Sequence, residues 1–83
     1  MPIVAGSKKT RRPVLRHRKI IGEAIRICRK KVGFTQEKLA ERADLNPKYL
    51  GEVERGEKII SIEALLRIGK AVRAPIRMFF RDV

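Results

Sequence analysis

The sequence predicts an all-α fold: a five-helix bundle containing a helix-turn-helix and preceded by a flexible basic N-terminal arm over residues 1–17. Three observations carry this expectation. Apolar residues recur at the three- and four-residue spacings of helix faces, and no stretch reads convincingly as a strand. Three side-chain caps, Thr35, Asn46 and Ser61, are each flanked by a hydrophobic pair at staple spacing. Between the second and third helices only Ala43, Asp44 and Leu45 are available as a turn, which makes two short helices cross steeply.

The first helix is expected from Arg18 to Val32, where Ile21, Ile25, Cys28 and Val32 form the apolar stripe and Arg26, Lys30 and Lys31 face outward. Gly33 supplies the left-handed residue that ends it. Thr35 caps the second helix. Glu37 lies close to the positive end of its dipole, Phe34 and Leu39 form the staple, and Leu39, Ala40 and Ala43 point inward. Asn46 caps the third helix with Pro47 at its first position and Leu45 stapled to Leu50. Leu50 and Val53 turn to the core, leaving Lys48, Tyr49, Glu52 and Arg55 on the outer side, and Gly56 stops the helix.

After a loop at residues 57–60, Ser61 caps a fourth helix to Val72. Ile62, Leu65, Leu66, Ile68 and Val72 are available to the core, and Gly69 suggests a close approach of another element. Pro75 opens a short last helix through Phe80. Ile76, Phe79 and Phe80 are expected to form an exposed patch there, because so short an element cannot bury all three. Such a patch marks the interface of a homodimer, with folding back onto the fourth or first helix as the alternative.

At 83 residues the chain is one small domain, residues 18–83, behind its arm. Twenty-one Lys and Arg against nine Asp and Glu give a formal charge of +12, an imbalance that a polyanion relieves. Lys8, Lys9, Arg11, Arg12, Arg16, Arg18 and Lys19 precede Ile20 with no acid among them. With so little apolar content the arm cannot offset its own ordering entropy, so it is expected to be flexible and to touch phosphates, with a solvated tail as the alternative. The lone Cys28 excludes a disulfide framework and fits a small buried hydrophobe in a reducing cytosol. No apolar run reaches the length of a membrane span, and residues 1–7 lack the layout of a signal peptide. The single histidine, His17, and the absence of a cysteine-histidine cluster or phosphate-cradling loop leave no constellation for catalysis, metal or cofactor.

Ile21-Gly22, Ile25-Arg26 and Arg29, then Gly33-Phe-Thr-Gln-Glu-Lys-Leu-Ala40, then Tyr49-Leu50 and Glu54-Arg55-Gly56, resemble the XRE-type helix-turn-helix family, the lambda repressor and Cro-like DNA-binding domains. Tyr-Leu-Gly-x-Val-Glu-Arg-Gly, with Ile60 where the family often has proline, is similar to the controller proteins of restriction-modification systems. The resemblance implies a bacterial or phage-derived cytoplasmic regulator that binds double-stranded DNA as a homodimer, with residues 47–56 in the major groove. It places Gln36 at a phosphate, Lys48, Tyr49 and Glu52 toward base edges, and Arg55 and Lys58 on phosphates. Packing of Tyr49 against its own helix is the plainer alternative. Arg29 and Glu54 match a family pair that forms a buried salt bridge. The competing function is an antitoxin-like module that binds a partner protein and uses DNA for autoregulation. No membrane is expected.

Overall fold

The computed structural model describes residues 8–83, with side chains from residue 15. α1 (Lys8–Lys31) is followed by α2 (Gln36–Ala43), α3 (Pro47–Glu54), α4 (Ile62–Val72) and a terminal 3-10 helix (Ile76–Phe80). The caps act as the sequence requires. Thr35 Oγ1 accepts from the Lys38 N–H at 3.0 Å, Asn46 Oδ1 from Lys48 at 2.7 Å, and Ser61 Oγ from Ala64 at 3.1 Å. Gly33 and Gly56 take positive φ, 80° and 78°, where a side chain would be strained.

Ile21 and Ile25 of α1, Leu39, Ala40 and Ala43 of α2, Leu50 and Val53 of α3, and Ala64, Leu65, Ile68 and Val72 of α4 form a single core with Ile60 and Phe79. α1 lies against the end of α3 with no room for a side chain at Gly22. A Cβ there would run into the Val53 carbonyl oxygen and stand 2.8 Å from that of Glu54. Arg67 closes the other side, its Nε donating to the Ala43 carbonyl at 2.8 Å, one of the acceptors that the end of α2 leaves without a helical partner.

Four expectations need correction. α1 starts at Lys8, so residues 8–17, assigned to the flexible arm, are helical; residues 1–7 lie outside the described residues. Low apolar content argues against burial. A helix already anchored by Ile21 and Ile25 extends without a new nucleus, and Leu15, Arg16, Arg18 and Lys19 favour the extension, whereas Pro13, further out, disfavours it.

The fifth helix is a 3-10 turn rather than an α-helix. Phe79, expected on an exposed patch, is fully buried, while Ile76 is half-buried and Phe80 is exposed. Gly69 lets the chain after α4 turn back closely: a Cβ there would stand 2.9 Å from the Ala74 carbonyl oxygen, while the Phe79 ring, 3.5 Å away, would be in ordinary contact. Finally, Ile62 and Leu66 face outward instead of joining the core, and Val32, at the last turn of its stripe, is also exposed.

Candidate nucleic-acid interface

Two clusters form where α2 and α3 meet solvent. In the first, Gln36 at the start of α2 reaches over the bare backbone of Gly51. A Cβ on Gly51 would stand 3.4 Å from Gln36 Oε1 and 3.3 Å from Arg55 Nη1, so the missing side chain lets the amide and the guanidinium approach each other. Gln36 is oriented from below: its Nε2 donates to Glu54 Oε1 at 2.9 Å, which leaves the second N–H and the carbonyl free. Arg55 in turn donates through Nε to Glu57 Oε2 at 2.8 Å and through Nη2 to Oε1 at 3.2 Å. That hydrogen-bonded pair lowers the Glu57 carboxyl from its ordinary value and raises the Arg55 guanidinium.

The second cluster centres on Glu52. Lys48 Nζ lies 3.8 Å and Lys58 Nζ 3.5 Å from its two carboxylate oxygens; the Glu52 side chain is 17% exposed and that of Lys48 is 85% exposed. The acid is thus flanked by two lysines of its own chain. Lys48, Glu52 and Arg55 fall at i, i+4 and i+7 of α3, one stripe of the helix.

Tyr49 stands apart. Its ring is half-buried against the core, and its hydroxyl donates to the Ile59 carbonyl at 3.3 Å while accepting from the Ser61 N–H at 3.3 Å. The hydroxyl is therefore committed to the loop before α4.

Two residues of the basic stretch before Ile20, expected in a flexible segment, join this surface. Arg18 Nη1 donates to the Glu57 carbonyl at 3.2 Å. Lys19 packs on Gly56, where a Cβ would come within 2.6 Å of its Cγ. They dock the basic part of α1 on the turn that follows α3. The signal available in the sequence was the run of strong helix formers before Ile20, which continues α1 toward that turn.

Among the described residues no helix is long and apolar enough to cross a membrane, and no three His, Cys, Asp or Glu side chains group to hold a metal.

α2 and α3, packed together across the short turn at residues 44–46 with Lys48, Glu52 and Arg55 on the outer side of α3, define a helix-turn-helix protein. The helix-turn-helix family HTH_3 is matched over residues 25–79. An HTH-type transcriptional regulator of Sinorhizobium medicae (strain WSM419) is 29% identical over 76 residues, 92% of this chain and 52% of the relative, so the chain spans about half that relative's length. The control protein C.BamHI of Bacillus amyloliquefaciens is 36% identical over 56 residues, 66% of this chain and 69% of that protein. The crystal structure of the restriction-modification controller protein C.AhdI from Aeromonas hydrophila superposes with a TM-score of 0.73 at 32% identity, over 76% of this chain and 96% of that one. The chain belongs to the XRE-type (HTH_3) helix-turn-helix family, a family of DNA-binding transcriptional regulators and not of enzymes.

Proposed function

We propose that this protein is a sequence-specific transcriptional regulator that binds operator DNA as a homodimer, with α3 in the major groove. The observation that carries this is the single stripe of Lys48, Glu52 and Arg55 on α3, flanked by Gln36 and Lys58. Lys48 is free enough at its tip to donate to guanine O6 or N7. Glu52 offsets the charge of the two lysines beside it, which limits non-specific binding, and accepts from cytosine N4 where the sequence offers it. Gln36, at the start of α2, presents an amide and free helix N–H groups to a phosphate. Arg55 and Lys58 neutralise phosphates on either side, and Tyr49 contributes its ring edge while its hydroxyl holds the loop. The basic N-terminal turns of α1, with Lys8, Lys9, Arg11, Arg12 and Arg16, add sequence-independent phosphate contacts.

The test is a selection of binding sites from random duplex DNA, followed by titration of the selected site and a scrambled one at several salt concentrations. The expected result is a pseudo-palindrome with half-sites about one helical turn apart, bound roughly 10³-fold or more tighter than the scrambled duplex. Equal affinity for both duplexes would reject sequence-specific readout.

A further inference from the structure

Lys8, Lys9, Arg11, Arg12, Arg16, Arg18 and Lys19 precede Ile20 within α1, with no acid among them. They do not wrap the helix. At about 100° per residue, all of these positions fall on one half of α1, with Leu15 between them, while Thr10, Pro13, Val14 and His17 take the other half. By register the segment therefore has a cationic side and an uncharged side.

Three contacts fix where the cationic side lies. Gly22 rests on the Val53 and Glu54 carbonyls at the end of α3, Lys19 packs on Gly56, and Arg18 donates to the Glu57 carbonyl at 3.2 Å. Moving back along α1 from residue 22 to 18 thus moves forward along the chain, from the last turn of α3 into the turn after it. Residues 8–17 continue that line past the C-terminal end of α3, for about 15 Å at 1.5 Å per residue. Gly22, Arg18 and Lys19 fall on the same half of α1 as the outlying cations, so the side that rests on α3 is the side that carries them. Its charge has no relief within the segment. The first turn of α1 holds no acid, so its lysines meet the positive end of the helix dipole as well as one another, and evenly spaced phosphates would remove both repulsions.

We infer that the cationic side of α1 is a second, rigid DNA surface, which seats on the phosphate backbone beyond the C-terminal end of α3 and lengthens the contacted duplex by about four or five base pairs at 3.4 Å each. This rests on the DNA-binding role proposed above and specifies which phosphates the basic turns of α1 meet. Because Arg18 and Lys19 hold α1 on the Gly56 turn, the cations reach the backbone in a fixed position relative to α3 and with little ordering left to be done. A flexible arm of the same charge would spread its contacts over many phosphates.

Hydroxyl-radical footprinting of the full chain on a selected duplex, beside two variants, tests the assignment. In one, Lys8, Lys9, Arg11, Arg12 and Arg16 are all changed to Gln, which keeps good helix formers and removes the charge. In the other, Leu15→Gly with His17→Gly keeps every cation and breaks the helix between them and its dock; neither position belongs to the core. The wild type is expected to protect a discrete run of about four or five nucleotides adjoining those covered by α3. The glutamine variant should lose that run and keep the α3 protection, and the glycine variant should lose it too, binding selected and scrambled duplexes several-fold more weakly. A glutamine variant that keeps the run overturns the contact. A glycine variant that matches the wild type in footprint and affinity overturns the rigid surface in favour of a flexible arm, and in both cases readout by α3 stands. If no duplex can be selected, sequence-specific readout fails by itself, and affinity for random duplex then decides: a glycine variant as tight as the wild type overturns this inference as well.

Discussion

Arg29 donates to Glu54 with both faces of its fork, Nε to Oε2 at 2.7 Å and Nη2 to Oε1 at 3.0 Å, and both residues are buried. Nη1 completes the guanidinium by donating to the Phe34 carbonyl at 2.8 Å. Glu54 also receives Gln36, so one ion pair joins α1, the start of α2 and the end of α3. Removing one member strands a charge in the interior, so Arg29→Ala or Glu54→Ala is expected to cost about 3–5 kcal/mol, much of the stability of so small a domain. Replacing both with apolar residues should be far milder. Urea unfolding of the two single variants and the double variant measures this, and single variants as stable as the wild type would contradict it.

Gly22 offers a second test of the same junction. Because a Cβ there meets the Val53 and Glu54 carbonyls, Gly22→Ala must push α1 off the end of α3. Neither obstacle is a movable side-chain tip. The expected loss is about 3 kcal/mol, the upper part of the usual cost of overpacking, despite alanine's better helix propensity. A raised melting temperature would show that propensity outweighs the clash.

What could be read from the sequence follows the range of the forces involved. Thr35, Asn46, Ser61, Gly33 and Gly56 act within a turn of their own position, so the starts of α2, α3 and α4 and the turns that end α1 and α3 were legible, while the start of α1, which has no such cap, was not. The side of α4 that faces inward was not. Ile62, Leu65, Leu66, Ile68 and Val72 wrap too much of the helix for periodicity to choose among them, and docking on α2 decides. Phe79 escaped for a related reason, since its burial depends on how the chain after α4 folds back against α1 and α4. In the candidate site, spacing put Lys48, Tyr49, Glu52 and Arg55 on the outer side of α3, and the family resemblance added Gln36 and Lys58. That Glu52 holds two lysines, and that the Tyr49 hydroxyl turns to Ile59 and Ser61, depends on how the loop at residues 57–60 returns across α3.

Tyr49→Phe separates the two roles of the tyrosine. It keeps the ring and removes only the hydroxyl that bridges the Ile59 carbonyl and the Ser61 N–H. Stability should fall by about 0.5–1.5 kcal/mol while the preferred DNA sequence is unchanged. Tyr49→Ala, which also removes the ring, should in addition weaken specific binding by roughly 1–3 kcal/mol. Thermal melts paired with binding to selected and scrambled duplexes distinguish these outcomes. A changed sequence preference in Tyr49→Phe would mean that the hydroxyl reads a base.

Lys48 and Glu52 should act in opposite directions on non-specific binding. Lys48→Ala removes a donor from the α3 stripe and should cost the selected site roughly 1–3 kcal/mol. Glu52→Gln releases Lys48 and Lys58 from a carboxylate 3.8 and 3.5 Å away and takes a negative charge off the stripe. Affinity for scrambled DNA should rise and its salt dependence steepen, narrowing the ratio between specific and non-specific binding. If Glu52→Gln weakened binding to every duplex, the carboxylate would be needed to hold the lysines in place and its repulsion would be the smaller effect.

Deleting residues 1–16 tests the basic extension. The core begins at Ile21, and Arg18 and Lys19, which dock α1 on the Gly56 turn, are retained, so the melting temperature should change little. The deletion removes Lys8, Lys9, Arg11, Arg12 and Arg16. Each phosphate contact these residues make contributes about 0.9 to the slope of log affinity against log salt, whatever the sequence bound. The truncated protein should therefore lose affinity for selected and scrambled duplexes alike, with a shallower salt slope and an unchanged sequence preference. Titrations at several salt concentrations separate this from impaired readout, since a displaced α3 would change the preference and leave most of the slope. A truncated protein that kept the full slope would show these five cations to be a solvated tail, with the phosphates held by Gln36, Arg55 and Lys58.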